Sequence, residues 1–267
     1  MLARAQAAWR RWCDDRASHR HAIPEALWQL TLARYPFLGW RSPEQLQRLR
    51  RLATLFLARK EFSGARGLMV TDEMAVAVAA QAVLPVLNLD GGLSLYAGFV
   101  GIVMHGDLVV APREVMDDDG VVHEFDEELA GEAMQDGPVM LSWRDVEAAG
   151  DESGQADWAY NVTIHEFAHV IDMANGAADG LPPLADRSAR QHWREVMASA
   201  YADFRARATT QQQTSIDPYA AESMAEFFAV SVETFYVQPL ELRGESPQVY
   251  RLLVDYFRED PAAHSVR

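Results

Sequence analysis

The stretch Asn161-Val162-Thr163-Ile164-His165-Glu166-Phe167-Ala168-His169-Val170-Ile171-Asp172-Met173 decides how this chain is read. Residues four apart on a helix project from one face, so the imidazoles of His165 and His169 can bind one Zn²⁺. Glu166 stands beside the first of them. There it reaches a water on such a metal, acts as general base and passes the proton to a leaving amine. Val162, Phe167, Val170 and Ile171 supply the apolar back of the helix. Asn161 or Thr163 opens it, and Asn175-Gly176 closes it. Asp172 lies three residues after His169, on the ligand side, and is expected to orient an imidazole.

A catalytic zinc keeps three protein ligands and one open position. The metzincin pattern requires Gly at 172 and His at 175, whereas this chain has Asp172 and Asn175. The third ligand is therefore expected from a later helix, as a glutamate. The candidates are Glu195, Glu222, Glu226 and Glu233. Three of these, Glu222, Glu226 and Glu233, share a helical face, so periodicity does not choose among them. Ser223-Met224-Ala225-Glu226 also reads as a capping box, in which the glutamate serves only the helix end.

Outward from this centre the chain reads as a globular α+β protein. Of 267 residues, 49% are hydrophobic and 24% charged, which supports a sizeable core and argues against disorder. A net charge of -15 lacks the basic face that nucleic acid or an anionic membrane surface requires. The lone Cys13 excludes an internal disulfide and fits a reducing compartment, so the expected location is cytoplasmic. The first 20 residues have no apolar signal region, and Asp14 and Asp15 speak against a transit peptide. The longest apolar run, Met74 to Leu89, is broken by Gln81 and Pro85 and falls short of a membrane span.

The spacing predicts a helix opening at Ser42-Pro43-Glu44-Gln45, with Leu46, Leu49, Ala53, Phe56 and Leu57 as its apolar stripe. A second, largely buried helix starts at Thr71-Asp72-Glu73 and stops near Pro85. Val109-Val110-Ala111 reads as a strand end before Pro112, and residues 121–125 as a short strand. Gly137 to Trp143 is a stronger strand, expected at a sheet edge where an extended substrate pairs. From Trp158 the chain is mostly helical. Residues 1–22 are expected to form an arm, 23–260 one catalytic domain with an N-terminal helical portion, and 261–267 a tail. The polar run Thr209 to Thr214 is an exposed loop or helix end. His105, His123 and His192 read as solitary histidines, and Asp117-Asp118-Asp119-Gly120 as a solvated turn without calcium-loop spacing. Phe227, Phe228 and Phe235 are assigned to the core.

Three stretches carry a family resemblance: residues 164–173, Asn175-Gly176, and Ile216-Asp217-Pro218-Tyr219-Ala220-Ala221 continuing through Ala225-Glu226-Phe227-Phe228-Ala229-Val230. Together they resemble the Mlc titration factor A (MtfA) family of bacterial zinc peptidases. The match is close from about residue 130 onward and looser before. The resemblance implies a zincin-like fold similar to the catalytic domain of anthrax lethal factor. It implies a small mixed sheet, with the zinc helix facing a C-terminal helix across the cleft. It also implies one zinc per chain, with Glu226 as third ligand. Tyr219, seven residues before Glu226, would aid the transition state. The implied activity is aminopeptidase-like hydrolysis of peptides, and the implied partner an Mlc-like repressor of glucose phosphotransferase genes. The competing reading is a non-catalytic protein that sequesters the repressor, with a structural or vestigial zinc site.

Overall fold

Ser42 caps its helix reciprocally, as the sequence implies. The Gln45 N–H donates to Ser42 Oγ at 3.3 Å, and the Ser42 N–H donates to Gln45 Oε1 at 3.0 Å. In this computed structural model, residues 22–116, 122–150, 158–210, 212 and 214–265 are described. The expected arm lies outside them except for Ala22, as do the acidic turn at 117–120 and Val121.

Helices α1 (Glu25–Arg34) and α2 (Pro43–Leu57) precede β1 (Glu61–Gly64) and α3 (Asp72–Ala82). Thr71 caps α3 by accepting from the Met74 N–H. The helix is buried on most sides, from Met74 through Ala82, because alanine and valine leave it no polar face. Then come β2 (Gly101–His105), β3 (Val109–Met116), β4 (Val122–Leu129), β5 (Gly131–Ala133) and β6 (Val139–Ser142). The described residues after β6 hold the helices α4 (Trp143–Ala148), α5 (Val162–Asp172), α6 (Arg187–Thr209), α7 (Met224–Val237), α8 (Pro239–Glu245) and α9 (Pro247–Phe257).

The main sheet has the order β1-β2-β6-β5. Strands β1, β2 and β6 run parallel, and β5 is antiparallel to β6. Two expectations are corrected here. Gly137 to Trp143 does not supply an edge, because β6 is paired on both sides; the edges are β1 and β5, and β5 pairs with β6 alone. Nor does a strand end before Pro112. Strand β3 begins at Val109, runs through Pro112 to Met116 and pairs with β4 in a two-stranded ribbon. Each strand of such a ribbon has an unpaired side, so a proline without an N–H is tolerated.

Phe167, on the back of α5, organises the core. Its ring meets Tyr96 at 5.0 Å, Phe56 at 5.6 Å and Phe99 at 5.9 Å, centroid to centroid. These residues come from α2, the 3₁₀ turn Gly92–Tyr96 and the segment before β2, so one side chain joins three parts of the chain to the motif helix. On the other side α7 buries Phe227, Phe228 and Phe235, the expected core residues. Among the described residues no helix is long and apolar enough to cross a membrane.

Phe167→Ala removes a fully buried ring from this cluster and should cost about 3–5 kcal/mol of unfolding free energy. Urea denaturation of the metal-free protein measures it; a loss below about 1 kcal/mol would mean that the ring is not packed as described.

Candidate metal centre

Asn161 starts α5 by accepting the Ile164 N–H at 2.9 Å on Oδ1. The helix then runs regularly to Asp172 and ends through Met173–Asn175 and Gly176 (φ 130°). His165 and His169 sit one turn apart on its open face, with ring centroids 4.9 Å apart. Glu226 arrives from the first turn of α7. Its Oε2 lies 3.1 Å from His165 Nε2 and 3.4 Å from His169 Nε2, and the two Nε2 atoms are 3.2 Å apart. Four ligands arranged tetrahedrally about 2.1 Å from an ion stand about 3.4 Å from one another. The three observed separations are close to that spacing. Oε2 of Glu226 is buried and makes no hydrogen bond among the described residues. Three ligand atoms thus converge at the spacing of a coordination shell, which fits a small divalent cation.

Among the alternative third ligands, Glu226 alone joins the histidines. Ser223 does cap α7, but through the Glu226 backbone: the Glu226 N–H donates to Ser223 Oγ at 3.1 Å, leaving the carboxylate to face the imidazoles. Glu222 is exposed ahead of the helix, and Glu195 is exposed on α6, where it accepts from Gln191. Glu233 approaches His165 from behind. Its Oε2 is 3.3 Å from Nδ1, and its Oε1 accepts the Asn161 N–H. A carboxylate at Nδ1 places the ring proton there and turns the Nε2 lone pair toward the centre.

The expected role of Asp172 is corrected. Oδ2 of this buried residue accepts the Gly180 N–H at 2.7 Å, so it anchors the loop after α5, and Glu233 does the orienting. Gly180 is needed there, because φ is +75° and a Cβ would stand 2.6 Å from the Met224 carbonyl oxygen.

The charges of the centre are coupled. Burial opposes an imidazolium at His165, yet the carboxylates of Glu226 and Glu233 outweigh it and raise its proton affinity well above the ordinary range. Burial likewise lifts the Glu226 carboxyl, but the two imidazoles overturn this and bring it down to about 2. Glu166 lies buried beside the pair, and burial raises its carboxyl. Gly131 of β5 makes room for it: a Cβ there would stand 2.7 Å from Glu166 Cγ and Oε1. Tyr219 belongs to the 3₁₀ turn Pro218–Ala221, started by Asp217, whose Oδ1 accepts the Tyr219 N–H. Its exposed ring lies 6.2 Å from that of His165, and both line a cleft of about 240 Å³ with Glu166, Glu226 and β5.

This arrangement agrees with the comparisons to known proteins. A family model for the glucose-regulated metallopeptidase M90 family matches residues 9–258. The chain belongs to that family. An uncharacterized protein of Synechocystis sp. is 36% identical over 256 residues, covering 95% of this chain and 90% of the relative. Mlc titration factor A of Yersinia pestis (strain Pestoides F) is 33% identical over 228 residues, covering 84% and 81%, and the Yersinia pseudotuberculosis protein of the same name matches equally. The centre is thus the candidate metal site of an M90 metallopeptidase homologous to Mlc titration factor A.

A longer polar chain supports His165 than the motif reveals. Gln81 of α3 is fully buried, donates to the Ala77 carbonyl and accepts from Asn161 Nδ2 at 2.7 Å. Asn161 in turn donates its N–H to Glu233. A glutamine in a run of alanines and valines was the visible signal, since a buried amide needs partners.

Glu233→Gln should keep the fold and lower zinc affinity about 10- to 100-fold, read by competition with a chromophoric chelator. An affinity within about twofold of wild type would remove Glu233 from the centre. Asp172 generates a pH prediction. Burial raises its carboxyl from 3.8 to about 6, so the folded chain binds that proton more tightly than the unfolded chain. Stability contributed by the protonated group is lost as pH rises through that window. Melting temperatures of metal-free protein should therefore fall for wild type relative to Asp172→Asn between about pH 4 and 6. Parallel curves would refute the assignment.

Proposed function

We propose that this protein is a zincin-like zinc peptidase, with one Zn²⁺ per chain held by His165, His169 and Glu226. The carrying observation is the convergence of three ligand atoms in a cleft that also holds Glu166 and runs beneath the free edge of β5. When bound, zinc lowers the pKa of a water and polarises the scissile carbonyl. The protein does the rest. Glu166 takes a proton from the attacking water as the C–O bond forms, and returns it to the nitrogen as the C–N bond breaks. Burial suits it to both duties, because a raised carboxyl accepts and releases a proton more evenly near neutrality. Tyr219 donates a hydrogen bond from its phenol to the developing oxyanion or the departing nitrogen and keeps its proton.

Strand β5 holds the substrate. The Ser142 N–H donates to the Ala130 carbonyl at 2.7 Å, so by antiparallel alternation Gly131 and Ala133 direct their backbone groups away from β6. The Ala133 N–H is directed at the Glu166 carboxylate, and an extended peptide can pair with the remaining groups. The finer reading is aminopeptidase action, supported by the family resemblance and by exposed Asp136 on the turn after β5, which suits a free ammonium group. Kinship with Mlc titration factor A supports a further role, binding an Mlc-like repressor that regulates glucose phosphotransferase genes.

Glu166→Gln separates these roles. It should retain zinc by atomic absorption, lose about 100- to 10,000-fold in peptide hydrolysis, and still capture the repressor in a pull-down. Hydrolysis at the wild-type rate would defeat the mechanism. Equal rates on free and acetylated N-termini would defeat the aminopeptidase assignment.

A further inference from the structure

A second cavity, of about 300 Å³, adjoins the catalytic cleft. Met173 lines both, and one wall is continuous: Gly131 to Ala133 border the cleft, and Met134 to Asp136 border the second cavity. Leu95, Phe99 and Val170 give it an apolar wall, and Ser94, Gln135 and Asp136 add polar groups. Ala97, Gly98 and Ala174 leave it open, and Met134 stands 41% exposed at its mouth. A recess with an apolar wall and a few polar groups beside a reaction centre has the chemistry of a side-chain pocket.

We propose that this cavity receives the side chain of the substrate residue immediately before the scissile bond, and sets a preference for a large apolar residue there. The proposal rests on the peptidase reading above. Direction follows from β5. A peptide joining its free edge in the antiparallel sense runs opposite to it, so the peptide's N-terminal side lies toward the C-terminal end of the strand. That end is Ala133, and the next residue, Met134, lines the second cavity. The ≈300 Å³ volume accommodates a leucine or phenylalanine side chain, and the shared Met173 makes the two compartments immediate neighbours.

Zinc-loaded protein is given matched peptides that differ only in the residue before or after the cleaved bond, as Gly, Ala, Leu or Phe. Wild type should favour Leu or Phe over Gly before the bond by about 10- to 100-fold in kcat/KM. Ala174→Trp and Ala97→Trp fill the cavity from exposed positions. Each should collapse that ratio to below about threefold. Binding gives a second readout. On Glu166→Gln, which holds peptides without cleaving them, calorimetric Kd values should show the same preference, lost when either tryptophan is added. An unmoved ratio in both filled variants, or a shift confined to the residue after the bond, overturns the pocket while leaving the peptidase. Cleavage of no peptide by wild type overturns both.

Discussion

His165 is gripped at both ring nitrogens by carboxylates from a single helix. Glu226 meets Nε2 and Glu233, two turns further along α7, meets Nδ1. This double contact fixes how closely α5 and α7 approach and how they are rotated, because a slip of either helix breaks one end. It also sets the charge of the centre. Three carboxylates, those of Glu166, Glu226 and Glu233, surround two imidazoles in a largely buried space. Buried charges of one sign are costly unless balanced. A proton on His165, whose affinity is raised, can balance part of that charge, and a divalent cation can do so without closing the site. An ion held by this candidate site would thus lower the electrostatic cost of keeping α7 against α5.

The remaining structure serves this contact. Phe167 projects from the opposite side of α5 and fixes the helix against α2 and the 3₁₀ turn at Tyr96. Gln81 reaches from α3 to Asn161, which caps α5 with its side chain and contacts Glu233 with its backbone. One residue therefore starts the helix that carries the histidines and orders the carboxylate that aims one of them. Beyond Asp172, the bond to Gly180 ties down the loop that returns past Met224 at the start of α7. Each support is a hydrogen bond or an apolar contact that costs little outside the site and removes freedom inside it.

How far the sequence reveals this varies with range. The histidine pair, Glu166 and both helix caps were legible because they depend on spacing within a few residues. The buried alanine-rich helix and the capping box at Ser42 were legible for the same reason. Choosing Glu226 over Glu222 and Glu233 was not, since all three share a face and the choice depends on how α7 meets α5. Family resemblance, not periodicity, pointed to Glu226. Asp172 misled because its position along α5 suits a partner of His169, while the loop that actually uses it is set by Gly180. The sheet edge misled similarly. Val139 to Ser142 has the stronger strand signal, but three-residue β5 is too short to announce itself and takes the edge by pairing outside it.

A buried carboxylate at 166 is what the proposed peptidase would use and what a protein that merely binds a partner would not need. A carboxylate buried beside a sheet edge is destabilising, and its raised proton affinity reflects that cost. The chain accommodates it with a glycine at 131, where any side chain would collide with it. A structural zinc needs neither, since a structural site is closed by a fourth protein ligand. Here three protein atoms converge, and the cleft beside them remains open to Tyr219 on one side and to β5 on the other. A binder could discard the glutamate and the gap at Gly131 and gain stability. Their presence together, in a cleft lined by β5, is what the proposed proton transfer at that position would require.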